Sequence, residues 1–168
     1  ESEVGSGSTF TLTIPFDIQR SRAETEGVEQ TDDQPDYTPV KGLSVLVAED
    51  QDVNRLVVRE LLKKDDHRTV FAGTGLEALD ALEHRPFDLV LMDVQMPEMD
   101  GIEAIRRIRS DDGSLYDPTV PIIALTAYAM SEDRDRISAT GADGYVAKPI
   151  DFEALRKAIH DIVPRPRG

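Results

Sequence analysis

Five residues carry groups that could act together: Glu49 and Asp50, Asp93, Thr126 and Lys148. They stand at the ends of four short apolar runs, Leu43–Ala48, Leu89–Met92, Ile122–Leu125 and Gly144–Ala147, with Glu49 and Asp50 together after the first. Three carboxylates gathered at one place repel, and without a cation at least one of them must rise in pKa. A hard divalent cation removes that conflict, and an oxygen-only ligand set favours magnesium over zinc. Magnesium keeps several waters and associates with phosphate oxygens. This suits phosphoryl transfer, where most of the catalytic work is positioning and charge neutralisation. A carboxylate can itself accept the phosphoryl group covalently, and the Lys148 amine and Thr126 hydroxyl could hold its remaining oxygens. Singly, an acidic residue after a strand is a turn former or a helix cap. The inference rests on the joint pattern of acid pair, acid, hydroxyl and lysine at successive run ends.

For these residues to meet, the runs must be neighbouring strands. They lack alternation, as does Thr69–Ala72, which suits parallel strands buried on both faces. The segments between them read as helices. Val53, Leu56, Val57 and Leu61 form one apolar stripe, which predicts a first helix with that stripe inward. Thr74-Gly75-Leu76-Glu77 has capping-box spacing. A third helix starts at Asp100-Gly101-Ile102-Glu103, with Ile105 and Ile108 continuing its stripe. A fourth runs from about Ser131 to Thr140 and stops at Gly141. The fifth follows Asp151 as N-cap, sets Phe152, Leu155, Ile159 and Ile162 on one face, and ends at Pro164 and Pro166. The expected fold is α/β: a doubly wound, five-stranded parallel sheet in the flavodoxin-like order 2-1-3-4-5, with helices on both faces. In such a fold ligands bind beyond the carboxyl ends of the strands, where all five residues fall.

Composition narrows the function classes. Apolar residues make up 39% of 168, enough for one packed core, and the formal net charge of −14 argues against binding a phosphate backbone. Cysteine is absent, which excludes disulfides and thiolate zinc sites and fits a reducing, cytoplasmic compartment. No apolar run approaches the roughly 20 residues that span a bilayer, so no membrane contact is expected of this segment. The chain opens on Glu1-Ser2-Glu3-Val4, with neither an initiator Met nor a signal peptide, and is expected to be part of a longer protein. His67, His84 and His160 have no metal-ligand spacing and read as surface or boundary residues.

The motifs resemble the receiver domain of response regulators. The matching strings are Val45-Leu46-Val47-Ala48-Glu49-Asp50, Leu91-Met92-Asp93-Val94-Gln95-Met96-Pro97-Glu98-Met99-Asp100-Gly101, Ile123-Ala124-Leu125-Thr126-Ala127 and Gly141-Ala142-Asp143-Gly144-Tyr145-Val146-Ala147-Lys148-Pro149. The resemblance spans about 41–163 and implies the following roles. Asp93 accepts a phosphoryl group from a phosphohistidine. Asp50 and Asp93 bind Mg2+ directly, Glu49 through water, and the Gln95 backbone carbonyl is a further ligand. Lys148 pairs with the phosphoryl group, Thr126 swings to bond it, and Tyr145 rotates inward as the coupled switch, changing the surface of helix 4, strand 5 and helix 5. Gln95 and Tyr128 tune the lifetime of the aspartyl phosphate. The acidic pair is Glu-Asp where Asp-Asp is commoner. An aspartate-nucleophile phosphatase would want a second Asp at position 95, where this chain has Gln95.

The opening, Glu3-Val4-Gly5-Ser6-Gly7-Ser8-Thr9-Phe10 followed by alternation through Ile14, resembles the end of a histidine-kinase ATP-binding domain. Together the two resemblances imply a hybrid sensor histidine kinase. Its expected parts here are a kinase remnant over 1–19, an acidic linker over 20–40, the receiver over 41–163 and a tail over 164–168. The implied partners are a histidine kinase core, in the same or another chain, and a histidine phosphotransfer protein, with the parent a candidate membrane sensor. No ATP binding or kinase activity is expected of this segment, although a receiver promotes its own phosphorylation and dephosphorylation.

Overall fold

The computed structural model describes residues 2–3, 7–8, 37–127, 137 and 139–163. The chain divides into two compact units, Glu1–Asp33 and Gln34–Gly168. In the first, Ser2–Glu3 pairs antiparallel with Gly7–Ser8. The strand expected over Thr9–Ile14 lies outside the described residues.

The second unit alternates strands and helices: β1 Ser44–Ala48, α1 Asp52–Lys63, β2 Arg68–Ala72, α2 Gly75–His84, β3 Leu89–Asp93, α3 Gly101–Ser110, β4 Ile122–Thr126, β5 Gly144–Ala147 and α4 Phe152–Ile162. The five strands are parallel, in the order 2-1-3-4-5. This is the doubly wound arrangement that the unalternating apolar runs predicted. Of the helix expected over Ser131–Thr140, only Ile137, Ala139 and Thr140 are described.

Successive residues of a strand point to opposite faces, and the core divides accordingly. Leu46, Ala48, Val90, Met92, Ile122 and Ala124 pack with α2 and α3 residues such as Leu79, Ala104 and Ile108. Val45, Val47, Leu89, Leu91, Ile123 and Leu125 pack on the other face with Val58 and Leu62 of α1 and Leu155 and Ile159 of α4. Every residue of the central β3 and β4 is buried.

Side chains start three of the helices. The Thr74 hydroxyl, Asp100 and Asp151 accept from the N–H groups of Glu77, Glu103 and Ala154. At α2 the Glu77 carboxylate reaches back to the Gly73 N–H, one residue beyond the reciprocal bond that the Thr74–Glu77 spacing predicted. Gly141 has φ +89, the left-handed conformation that favours glycine, just after Thr140.

The structure corrects two expectations. The stripe of Val53, Leu56 and Val57 faces solvent, at 73%, 55% and 44% exposure; Val58 and Leu62 are the buried residues of α1 and Leu61 is half-buried. Both stripes fit a helical period. Asn54 and Arg55 decide between them by bonding Glu49 and turning their side of the first turn inward. The second correction is His67, which is buried. Its Nδ1 accepts from the Leu43 N–H at 3.1 Å, because it bridges the end of α1 to the start of the sheet.

Two residues ahead of Lys41 also pack on this unit. Val40 is buried in the α1/α4 core, and the Tyr37 ring lies 4.7 Å from that of His160 on α4.

Candidate functional site

The strand register sets the site. Ala48 lies opposite Ala72 and Met92, Asp93 opposite Leu125, and Thr126 opposite Ala147. The carboxyl ends are therefore nearly level, and the next residues, Glu49, Asp93, Thr126 and Lys148, share one rim. The Lys148 N–H closes it by donating to the Thr126 carbonyl at 2.7 Å, and the Lys148–Pro149 peptide is cis.

The three carboxylates converge. Glu49, Asp50 and Asp93 each offer an oxygen, all within 4.8 Å of one another. Glu49 is fully buried and Asp93 nearly so, whereas Asp50 is exposed. The Lys148 ammonium sits between the two buried ones, 2.6 Å from Glu49 Oε2 and 2.7 Å from Asp93 Oδ2. Asp93 Oδ1 accepts from the Gln95 N–H at 3.1 Å.

These contacts set the protonation equilibria. Burial pushes the Asp93 carboxyl above the ordinary aspartate range, against the pull of Lys148 and the Gln95 N–H. Burial alone would lower Lys148, but its hydrogen bonds to Asp93 and Glu49 outweigh it and the net direction is upward. Both directions can hold because Lys148 has two carboxylate partners and Asp93 only one lysine. The result is a cationic amine kept beside a carboxylate that burial leaves poorly solvated and therefore ready to share a stronger positive centre.

The all-oxygen donor set fits a hard divalent cation, with exposed Asp50 open to solvent and buried Asp93 opposite. Thr126 is buried at the end of β4, and Tyr145 is half-buried against the α2/α3 core. Tyr128 lies outside the described residues. His84 is exposed, and His160 is half-buried beside Tyr37.

Two residues of the site carried no signal that sequence reasoning used. Asn54 Nδ2 donates to Glu49 Oε1 at 2.8 Å, and Arg55 Nε donates to the Glu49 carbonyl at 2.6 Å. A polar pair on the first turn of α1, beside an acidic strand end, was the available clue. Gly101, read from sequence as the start of α3 and the end of the acceptor motif, has a further role. A Cβ there would collide with the Asp93 carbonyl oxygen, so only glycine lets α3 start against the acceptor's backbone.

Comparison with known proteins agrees with this geometry. A family model described as "Response regulator receiver domain" matches residues 45–160. The polar-differentiation response regulator DivK of Brucella anthropi is 43% identical over 117 residues, covering 69% of this chain and 92% of that protein. Among solved structures, the receiver domain of sensor histidine kinase PA1611 from Pseudomonas aeruginosa, with a magnesium ion coordinated in its active-site cleft, superimposes with a TM-score of 0.65. It is 33% identical over 72% of this chain and 97% of that one. The Saccharomyces cerevisiae complex of the histidine phosphotransfer protein Ypd1 with the receiver domain of Ssk1 matches with a TM-score of 0.66 and 29% identity, over 76% of this chain and 92% of that one.

Proposed function

The chain belongs to the response regulator receiver domain family of two-component signalling, and from that premise we propose that Asp93 accepts a phosphoryl group from a phosphohistidine in a phosphorelay. The observation that carries this reading is the convergence of Glu49, Asp50, Asp93 and Lys148 on one rim, with Lys148 already bonded to Asp93.

Asp50, Asp93 and the Gln95 carbonyl would hold Mg2+ directly, and Glu49 would do so through water. The ion supplies charge neutralisation to the incoming phosphoryl oxygens. The chain's own residues do the rest. An Asp93 oxygen forms the new bond to phosphorus while the bond to the imidazole nitrogen breaks, and the imidazole leaves with that electron pair. Lys148 shifts from Asp93 to a phosphoryl oxygen, and Thr126 supplies a hydroxyl to another. Thr126 and Tyr145 then carry the change to β5 and α4. Gln95 and Tyr128 set how fast water removes the group, and a bulky Tyr128 makes that loss slow.

The proposed donor is a histidine phosphotransfer protein or a kinase core, and the proposed parent is a hybrid sensor kinase acting in the cytoplasm. Two things support this: the PA1611 receiver is part of a sensor histidine kinase, and the opening sequence resembles the end of a kinase ATP-binding domain. The domain limits read from sequence belong to the same proposal, with the receiver's left-hand limit moved ahead of Tyr37, because Tyr37 and Val40 pack on that unit. The solvent-facing Val53, Leu56 and Val57 begin three residues past Asp50 and offer such a donor an apolar seat next to the site.

The test is the intact mass after incubation with Mg2+ and acetyl phosphate. The wild type should gain one phosphoryl group, and Asp93→Asn, or the wild type without Mg2+, should gain none. An equal gain in Asp93→Asn would refute the assignment.

A further inference from the structure

We propose that Asn54 is a positioning residue for the phosphoryl-accepting reaction, holding Glu49 so that Glu49 in turn fixes Lys148; this rests on the reading of Asp93 as acceptor. The bonds form one continuous path. Asn54 Nδ2 donates to Glu49 Oε1 at 2.8 Å, Lys148 Nζ donates to Glu49 Oε2 at 2.6 Å, and the same Nζ donates to Asp93 Oδ2 at 2.7 Å. The Gln51 N–H adds a longer bond of 3.3 Å to Oε1. Glu49 is completely buried, so the protein rather than water satisfies its two oxygens.

The reason for two carboxylates on one lysine lies in what the reaction does to each. When an Asp93 oxygen bonds to phosphorus and the donor's leaving group departs with its electron pair, Asp93 ceases to be a carboxylate. It can no longer anchor Lys148, whose flexible four-carbon stem has no other charged partner among the described residues. Glu49 is chemically unchanged by the step. It keeps the ammonium at the rim while the other bond passes from Asp93 to the phosphoryl group. Glu49 can do this only if its own orientation is fixed, and Asn54 is the side chain that fixes it. The turn that presents Asn54 is itself held by Arg55, which bonds the Glu49 carbonyl at 2.6 Å. An aspartate at position 54 would set acceptor against acceptor, and a leucine would fill the space with no donor.

The experiment measures phosphorylation by acetyl phosphate at saturating Mg2+ for the wild type, Asn54→Leu and Asn54→Asp, each also in a Lys148→Ala background. Both Asn54 substitutions should slow the maximal rate about tenfold, equivalent to about 1.4 kcal/mol. In the Lys148→Ala background they should have almost no further effect, because the path they act through is gone. In metal-free protein the ammonium 1H–15N resonance of Lys148, protected in the wild type, should broaden away in Asn54→Leu. Wild-type rates in both variants would overturn the proposal. So would the same tenfold loss without Lys148, since that is what a purely structural residue gives. A wild type that takes no phosphoryl group on Asp93 would instead sink the underlying reading.

Discussion

Glu49 differs from an aspartate by one methylene, and the extra reach lets one carboxylate touch both Asn54 and Lys148. Sequence reading placed Lys148 against the phosphoryl group and Glu49 against the metal. It did not pair them, because they lie 99 positions apart and nothing in residue type says which carboxylate a lysine will choose. His67 went unread for the same reason, since its role is a single bond from the Leu43 N–H. That bond needs an unprotonated Nδ1, and burial pushes the ring below the ordinary histidine range, against Asp65 and Asp66. The folded protein therefore binds fewer protons here than the unfolded chain. This stabilising contribution is complete above a pH of about 6.5 and is lost as the pH falls below it towards the lowered folded value. His84, raised by its bond to the Asp80 carbonyl, acts in the opposite sense. The clean readout is thus the difference between the wild type and His67→Gln in urea midpoints from pH 7.5 to 5. The wild type should lose more over that range, and parallel curves would show that His67 takes up its proton equally in the folded and unfolded states.

At the scale of elements, α1 shows where a periodic pattern stops being informative. Its sequence carries two overlapping apolar stripes, and hydrophobicity alone favours the one that contains three large residues in its first two turns. The structure turns that stripe to solvent because the first turn is tied to the site through Asn54 and Arg55. Replacing Leu56 and Val57 together with Gln should therefore change stability by less than about 1 kcal/mol. Leu62→Ala, in the core at 2% exposure, should cost about 2–5 kcal/mol. Chemical denaturation separates the two, and equal losses would return the stripe to the interior. The strands were easier to read. The inner strands β1, β3 and β4 are buried on both faces and read as unbroken apolar runs bounded by turn residues, and the strand ends name the site residues directly.

Across the whole molecule, the site and the fold are in tension. A net charge of −14 and two buried acids, Glu49 and Asp93, both oppose the compact state, and burial holds Asp93 above its usual range. For such a group the folded state is favoured by protonation, so at neutral pH its charge is a burden that falls on stability. Without metal, Asp93→Asn should accordingly melt a few degrees above the wild type, at roughly 2–8 °C per kcal/mol. Mg2+ should raise the wild type too, by about 2.7 kcal/mol at a hundred times its dissociation constant. The gain should be smaller for Asp93→Asn. Scanning calorimetry with and without the ion decides, and a wild type indifferent to Mg2+ would remove the metal from the account.

The seating of Tyr37 and Val40 bears on where the chain can be cut. An excised domain beginning at Lys41 would contain the five-stranded sheet, the four described helices and the whole acidic rim. It would also take Val40 out of the core it shares with α1 and α4, and remove the Tyr37 ring from beside His160. The usable left-hand boundary for expression therefore falls before Tyr37. Two preparations differing by only those few residues would share one chemistry and differ in shelf life.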